Sequence, residues 1–340
     1  MPRPLLSRFA AAGTALTSLG VLTLTACGSG VTEQEPDAEA TGGEQATVLT
    51  NCGREIDLPR PPEAIVGLSP SQTELLLRLG LADRMVGQAQ TATAPLPDDL
   101  RAEAEGIPVL SEDAPPTREV LLQAGPDFVF APTAYEFTAE QGFASIAQLD
   151  EAGVAAYIAT GGCEDRRMTG TVDDLFTDLE SLGRALGAAE AASGLAEASQ
   201  ARLDEVTEAV SGEEPVTVAQ VYVEGGTLSA IGAGIEYDII RRAGGENVFG
   251  PDDAAFADFF AAQINPEVLA ERAPDALVFA VSGPEHEQAT RDYLARTFPD
   301  LDAVREDRLV AISAADAYPG TLGNVDAVAE IAAGLYPGAF

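Results

Sequence analysis

The chain has 340 residues, enough for two domains of ordinary size, and sets 55 acidic residues against 19 basic ones for a net charge of −36. Every basic residue is arginine, and a surface this acidic argues against nucleic acid as a partner, because phosphate binding needs basic clusters. In an exported protein the same acidity serves solubility. The first 26 residues predict export: Arg3 and Arg8 precede a small and apolar run from Phe9 to Leu24. Broken by Gly13, Thr14, Thr17, Ser18 and Gly20, the run is too short and too interrupted for a membrane span and fits the apolar core of a signal peptide.

Leu24-Thr25-Ala26-Cys27 resembles a bacterial lipobox, which predicts cleavage before Cys27 and a diacylglycerol anchor on its thiol; the alternative is ordinary secretory cleavage beside an incidental cysteine. Removing residues 1–26 removes two arginines and no acid, so the charge moves from −36 to −38. Residues 28–47 are Gly, Ser, Thr and acid without an apolar period and predict a flexible tether. Cys52 and Cys163 remain, and an even pair in an oxidising compartment predicts a disulfide, with two buried thiols as the alternative.

Beyond residue 48 short apolar runs alternate with amphipathic patterns. Strands are predicted at 64–68, 85–87, 128–131, 154–159, 216–223, 276–281 and 309–312, with helices such as 71–79 and 143–151 between them. This alternation predicts an α/β fold with mainly parallel sheets covered on both faces. Residues 171–211 lack a strand pattern and read as two helices, the second over 188–210, about 30 Å long at 1.5 Å per residue. We therefore expect an N-terminal lobe over 48–187, a rigid interlobe helix at 188–212, and a C-terminal lobe over 213–340.

An internal repeat supports the division. TREVLLQAGPDFVFA (117–131) returns as NPEVLAERAPDALVFA (265–280), so Glu119, Val120, Leu121, Pro126 and Asp127 recur as Glu267, Val268, Leu269, Pro274 and Asp275. Each copy reads as a cap (Thr117, Asn265), a short helix, a Pro-Asp turn and a buried strand. Two similar Rossmann-like lobes on one rod predict a cleft between them.

Enzyme signatures are thin. His286, the one histidine, sits in GPEHEQ and reads as a solvated loop residue; there is no G-x-S-x-G elbow and no Walker A motif. GAGIEYD (232–238) lacks the spacing of a dinucleotide loop, and one histidine cannot furnish a zinc or manganese cluster. We expect no catalytic residue, no resident metal and no cofactor. An exported two-lobed α/β chain of this kind fits a binding protein that holds a small molecule between its lobes.

The chain resembles the substrate-binding lipoproteins of ABC importers for iron–siderophore complexes and vitamin B12. The resemblance rests on NCGREIDLPRPPEAIVGLSPSQTELLLRLGLADRMVG (51–87), LLQAGPDFVFA (121–131), LDEAGVAAYIA (149–159), RRAGGENVF (241–249) and INPEVLAERAPDALVFA (264–280), in order across nearly the whole mature domain. It implies a class III binding-protein fold and a permease dimer with its ATPase as partner, with Glu119 and Glu267 docking one lobe each. The bland reading of the same acids is favourable helix-dipole charge. In GGENVF we expect Gly244 and Gly245 to end a helix in the left-handed region.

Loops at the carboxyl ends of strands should line the cleft: 69–71, 88–90, 133–137 and 161–167 in the N-terminal lobe, and 224–229, 259–260, 282–283 and 315–318 in the C-terminal lobe. The candidate ligand contacts are Ser71, Tyr135, Phe137, Arg166, Tyr222, Phe259 and Tyr318. With no tryptophan to clamp a corrin and few arginines to hold a polyanion, the expected cargo is a ferric siderophore of hydroxamate type. The expected protein is a monomer at the outer face of the cell membrane, held by lipid on Cys27. Cobalamin is the alternative cargo, and a scaffold lipoprotein or an anchored hydrolase the alternatives of another class.

Overall fold

The computed structural model describes residues 46–340; the signal segment, Cys27 and nearly all of the tether lie outside the described residues. The described chain opens with an antiparallel hairpin, β1 (Thr47–Asn51) and β2 (Arg54–Leu58). Leu49, Ile56 and Leu58 alternate into the core. Cys52 and Gly53 both take positive φ (49° and 70°), the two-residue turn whose twist suits a hairpin. The strand begins at Thr47, the last residue we read as tether.

The N-terminal lobe follows in chain order: β3 (Ile65–Gly67), α1 (Pro70–Arg78), β4 (Met85–Ala89), α2 (Arg101–Ala104), β5 (Val109–Ser111), α3 (Arg118–Gln123), β6 (Phe128–Ala131), α4 (Ile146–Glu151) and β7 (Ala155–Ile158). Its five strands are all parallel in the order β5-β4-β3-β6-β7. The central strands β3 and β6 are buried along their whole length, which is why they read as unbroken apolar runs.

Strand β7 would leave an open edge, and the hairpin closes it with side chains. Asn51 imitates a peptide group, its Nδ2 donating to Ile158 O (2.7 Å) and its Oδ1 accepting from Ile158 N (2.9 Å). Arg54 donates to Ala156 O (2.9 Å) on the same edge. Cys52 is bonded to Cys163 just beyond β7, across 111 positions of sequence. In the chain-entropy description a loop of that size contributes about 4–5 kcal/mol. Replacing both cysteines by serine should cost about that much, read from urea unfolding as a lower midpoint with a steeper slope, because the uncrosslinked chain unfolds to a more exposed state. A shift below about 1 kcal/mol would mean that the hairpin is held by its hydrogen bonds alone.

Two helices join the lobes. α5 (Asp174–Ala185) packs along α6 (Ala189–Val210), whose 22 residues make a rod of about 33 Å. Ala192, Ser199, Leu203 and Val206 form its buried stripe, and it rests on α5 at one end and on the last helix of the chain at the other. One apolar core runs from Leu75 and Leu179 through Leu203 and Val206 to Ile239 and Ile331. Among the described residues no helix is long and apolar enough to cross a membrane.

The C-terminal lobe comprises β8 (Val216–Glu224), β9 (Thr227–Ile231), α7 (Gly234–Arg242), β10 (Gly245–Asn247), β11 (Ala261–Gln263), α8 (Pro266–Arg272), β12 (Ala276–Val281), α9 (Pro284–Thr297), α10 (Asp302–Arg305), β13 (Leu309–Ser313) and α11 (Gly323–Leu335). Its sheet runs β11-β9-β8-β12-β13, with β10 beside the start of β8. Here β8, β12 and β13 are parallel, whereas β9 runs antiparallel to both its neighbours, β8 and β11.

Three sequence readings change. Residues 224–229 are the tip and second strand of a hairpin, turned at Gly225 and Gly226. Only Gly244 takes the left-handed conformation after α7 (φ 84°), because Gly245 already extends as β10. His286 lies in the first turn of α9 instead of a solvated loop. Its Nδ1 accepts from Ser282 N (3.2 Å), Nε2 meets Val223 O at 2.8 Å, and the ring stands edge-on to Tyr222.

The repeat is a structural unit. β6 lies parallel beside β3 as β12 lies parallel beside β8. In each copy the aspartate after the short helix clamps the neighbouring strand. Asp127 accepts from Glu63 N and Ala64 N, both 2.9 Å, and its own N–H donates to Ala64 O. Asp275 accepts from Thr217 N (3.2 Å) and Thr217 Oγ1 (2.6 Å), and its N–H donates to Thr217 O. Thr117 caps α3 by accepting from Val120 N, whereas the cap position of α8, Asn265, makes no such side-chain bond.

Candidate functional site

The carboxyl ends of β3, β4, β6 and β7 face the C-terminal lobe, and a cavity of about 600 Å³ opens there, walled by residues of both lobes. The loop after β6 contributes Tyr135 and Glu136, and the loop after β7 contributes Gly161, Gly162 and Arg167. Across the gap stand Tyr222 of β8, Glu236 of α7, the Phe259-Phe260 pair before β11, and Tyr318 after β13. Tyr135, Phe259 and Tyr318 are 49%, 42% and 40% exposed, unusual for large apolar rings unless they serve a ligand. The Arg167 guanidinium lies over the Phe259 ring at 5.3 Å.

The walls are held firmly from behind. Asp178 of α5 is fully buried and accepts from Tyr157 Oη (2.8 Å), Thr160 N and Thr160 Oγ1 (2.6 Å), fixing the start of the loop after β7. A Cβ at Gly162 would lie 1.8 Å from Pro132 O, so only glycine lets this loop lie against the neighbouring one. The lobes are fastened by polar contacts at the base of the cleft. Val172 N donates to Asp238 (2.9 Å), Gly234 N donates to Met168 O (3.1 Å), and Arg242 pairs with Asp173 at 2.6 Å. Together with the α6 rod these contacts favour a fixed separation of the lobes over hinge closure.

Charge in the cavity is unbalanced. Burial pushes the Glu136 carboxyl above the usual range despite the donors of Thr133, and burial alone pushes Glu236 up to about 7. Burial also raises the Tyr318 phenol, and Glu136, Tyr222, Glu236 and Tyr135 all add to that rise, so these groups act on one shared space. Among the described residues no cluster of His, Cys, Asp and Glu could hold a metal ion.

Of the contacts chosen from sequence, Tyr135, Tyr222, Phe259 and Tyr318 line the cavity. Ser71 does not: it is fully buried at the start of α1, where its hydroxyl bonds Ser69 Oγ and Gln72 Oε1. Phe137 turns into the apolar core, 6% exposed. Arg166 pairs with Asp174 at 2.5 Å, and its neighbour Arg167 reaches the cavity in its place. Gln90, Glu136 and Phe260 lie on loops expected to line the cleft but were not chosen as contacts, and Glu236 of α7 was missed. Glu119 and Glu267 stand exposed at the second position of α3 and α8, away from the cavity.

The family model for periplasmic binding proteins matches residues 65–315, which takes in both lobes and every wall of the cavity apart from its final loop. The chain belongs to the periplasmic binding protein family. A vitamin B12-binding protein of Vibrio campbellii is 23% identical to this periplasmic binding protein over 217 residues, covering 64% of this chain and 70% of its own. An uncharacterized ABC transporter substrate-binding lipoprotein of Bacillus subtilis, YvrC, is 22% identical over 323 residues, covering 95% and 96%. Among solved structures, an ABC-type Fe3+-hydroxamate transport protein of Saccharomonospora viridis superposes with a TM-score of 0.70 at 23% identity, covering 85% of this chain and 98% of its own. That likeness places this periplasmic binding protein in the two-lobed fold. The family binds solutes and is not a family of enzymes.

Proposed function

We propose that the chain is the extracytoplasmic binding component of an ABC importer and carries a ferric siderophore of hydroxamate type to a permease dimer. The observation that carries this reading is the aromatic cavity between two fastened lobes, with one arginine and two carboxylates in its walls. Its volume falls within the range of small-molecule sites. A polyanionic tricatecholate or citrate complex would want several cationic donors, and Arg167 is the one cation among the lining residues. A neutral trihydroxamate complex needs aromatic surface and a few hydrogen bonds, which the tyrosines supply.

Lipid on Cys27 would keep the protein beside its permease, and Glu119 and Glu267 would dock the loaded lobes. The second reading, cobalamin, is favoured by the Vibrio campbellii relative. Titration calorimetry with a ferric trihydroxamate, a ferric tricatecholate and cyanocobalamin separates the three. The hydroxamate complex is expected to bind at micromolar concentration or tighter and the others at least tenfold more weakly. Tight tricatecholate binding would overturn the hydroxamate assignment, and a preference for cobalamin would establish the second reading.

A further inference from the structure

The carboxylates of Glu136 and Glu236 come from opposite lobes, face the same cavity, and lack a cationic partner. Glu136 is 5% exposed and takes its hydrogen bonds from Thr133 N (3.2 Å) and Thr133 Oγ1 (2.7 Å). Glu236 takes one from Gln220 Nε2. Among the described residues no arginine forms an ion pair with either; Arg167, the one arginine among the lining residues, lies over the Phe259 face. Asp238, by contrast, is compensated by Arg241 and Arg242, and Asp174 by Arg166.

A desolvated carboxylate without a counter-charge is costly, and two on facing walls of one cavity are costlier still. Three tyrosines stand around them, Tyr135, Tyr222 and Tyr318, offering π-faces that attract cations and repel anions. Tyr318 stands within electrostatic reach of both glutamates. Behind Glu236, Gln220 is 1% exposed and is the one side chain that donates to it, so the carboxylate is backed by a neutral amide and no counter-charge.

Resting on the siderophore reading above, we propose that the cavity selects a ligand that carries a protonated amine, which Glu136 and Glu236 clamp from the two lobes among the tyrosine rings. Too few ligating groups converge there for a bare metal ion, so the charge belongs to an organic ammonium on the cargo. The metal complex itself can be neutral; the ammonium gives it an end to be gripped by. The clamp also sets the cleft against anionic complexes, since both walls repel them.

The test compares the ferric complex of a linear trihydroxamate bearing a free terminal primary amine with the same complex N-acetylated at that amine. Both are titrated calorimetrically into the wild-type chain and into Glu136→Gln, Glu236→Gln and the double variant. The free-amine complex should bind about 10- to 100-fold tighter than the acetylated one, the scale of a charged hydrogen-bonded contact. Each single variant should shrink that ratio, and the double variant should bring it close to one. Far-UV circular dichroism and the thermal midpoint of each variant report that it is folded. Equal binding of the two complexes to the wild type would overturn the amine clamp and leave the siderophore reading standing. Binding of neither would overturn the siderophore reading and the clamp with it. A ratio that survives in the double variant would assign the selection to other groups and overturn the clamp.

Discussion

Reversing the charge of both repeat glutamates, Glu119→Arg with Glu267→Arg, is expected to abolish uptake of the labelled ferric complex by whole cells while leaving its dissociation constant unchanged. The two side chains occupy equivalent places in the duplicated unit. Each is at the second residue of a short helix, exposed, and followed by an equally exposed valine, Val120 or Val268, both 38%. Behind each helix an aspartate clamp fixes the strand pair, so the helix is a rigid platform. Neither glutamate lines the cavity, and substitution should not reach the ligand.

Each also favours its helix dipole, a contribution of about 0.3–1 kcal/mol that the reversal would forfeit. The thermal midpoint of the double variant is therefore the control: a fall of a few degrees is the dipole, and loss of uptake beyond it is docking. If affinity drops in step with uptake, the glutamates serve the lobes and not the permease. Reversal in one lobe should leave uptake partial, because the other platform still engages.

The second large effect concerns acidity. Stability of the unliganded protein should fall as pH rises from about 5 to 8, with the melting temperature dropping by roughly 5–10 °C. Burial pushes Asp178 and Glu236 up to about 7 and Asp316 up to about 8. An unfolded chain releases these protons near pH 4. Between those limits the folded state holds protons that the unfolded state has lost, and stability declines with pH; below pH 4 both states are protonated and the contribution is complete. The opposite sign comes from Asp238 and Asp275, held below the usual range by hydrogen-bond donors, whose stabilisation disappears in acid. A maximum near pH 5 follows.

Asp316 offers the decisive variant. After burial, its carboxyl is raised by Glu74 of α1 and by Glu330 and Asp326 of α11, with Arg78 nearby paired to Glu74 and Asp99. Asp316→Asn should flatten the slope between pH 6 and 8, raise stability at pH 8 and change little at pH 5. The series belongs in about 0.3 M salt, where general repulsion across this highly acidic surface is screened. A variant that lost stability equally at every pH would show that Asp316 acts as an ionised helix cap and not as a buried acid.

Much of the architecture was legible because it is carried by strong local signals. The unbroken apolar strands, the strand-free stretch before residue 211 and the repeated Pro-Asp turn each have one structural solution. The hairpin at 47–58 was not legible, since its alternation is short and half its residues are polar. Strands of three residues, such as β5, β10 and β11, are too brief for a period to show. Two signals were present and passed over: the Gly225-Gly226 turn between β8 and β9, and Gly283-Pro284 opening α9 around His286.

In the cleft the sequence marks the loops but not which side of each faces the gap. Arg166 and Arg167 are adjacent, and turn geometry alone sends one to Asp174 and the other to the cavity. Tyr135 and Phe137 share a helical turn and part in the same way. The glutamates were invisible for another reason. Glu136, beside an aromatic on a loop, reads as solvated, and Glu236 reads as one polar residue of a helix; only the fold brings both to one cavity.

Asn51 and Arg54 seal the rim of the N-terminal sheet without a sixth hydrogen-bonded strand. Such a seal has a consequence for assembly. A bare parallel rim invites strand addition from a second molecule, and crowding at a surface multiplies the encounters. Here the rim is closed by side chains of a segment that a disulfide keeps in place, so loss of the hairpin would expose a polymerising template and not merely a weaker lobe.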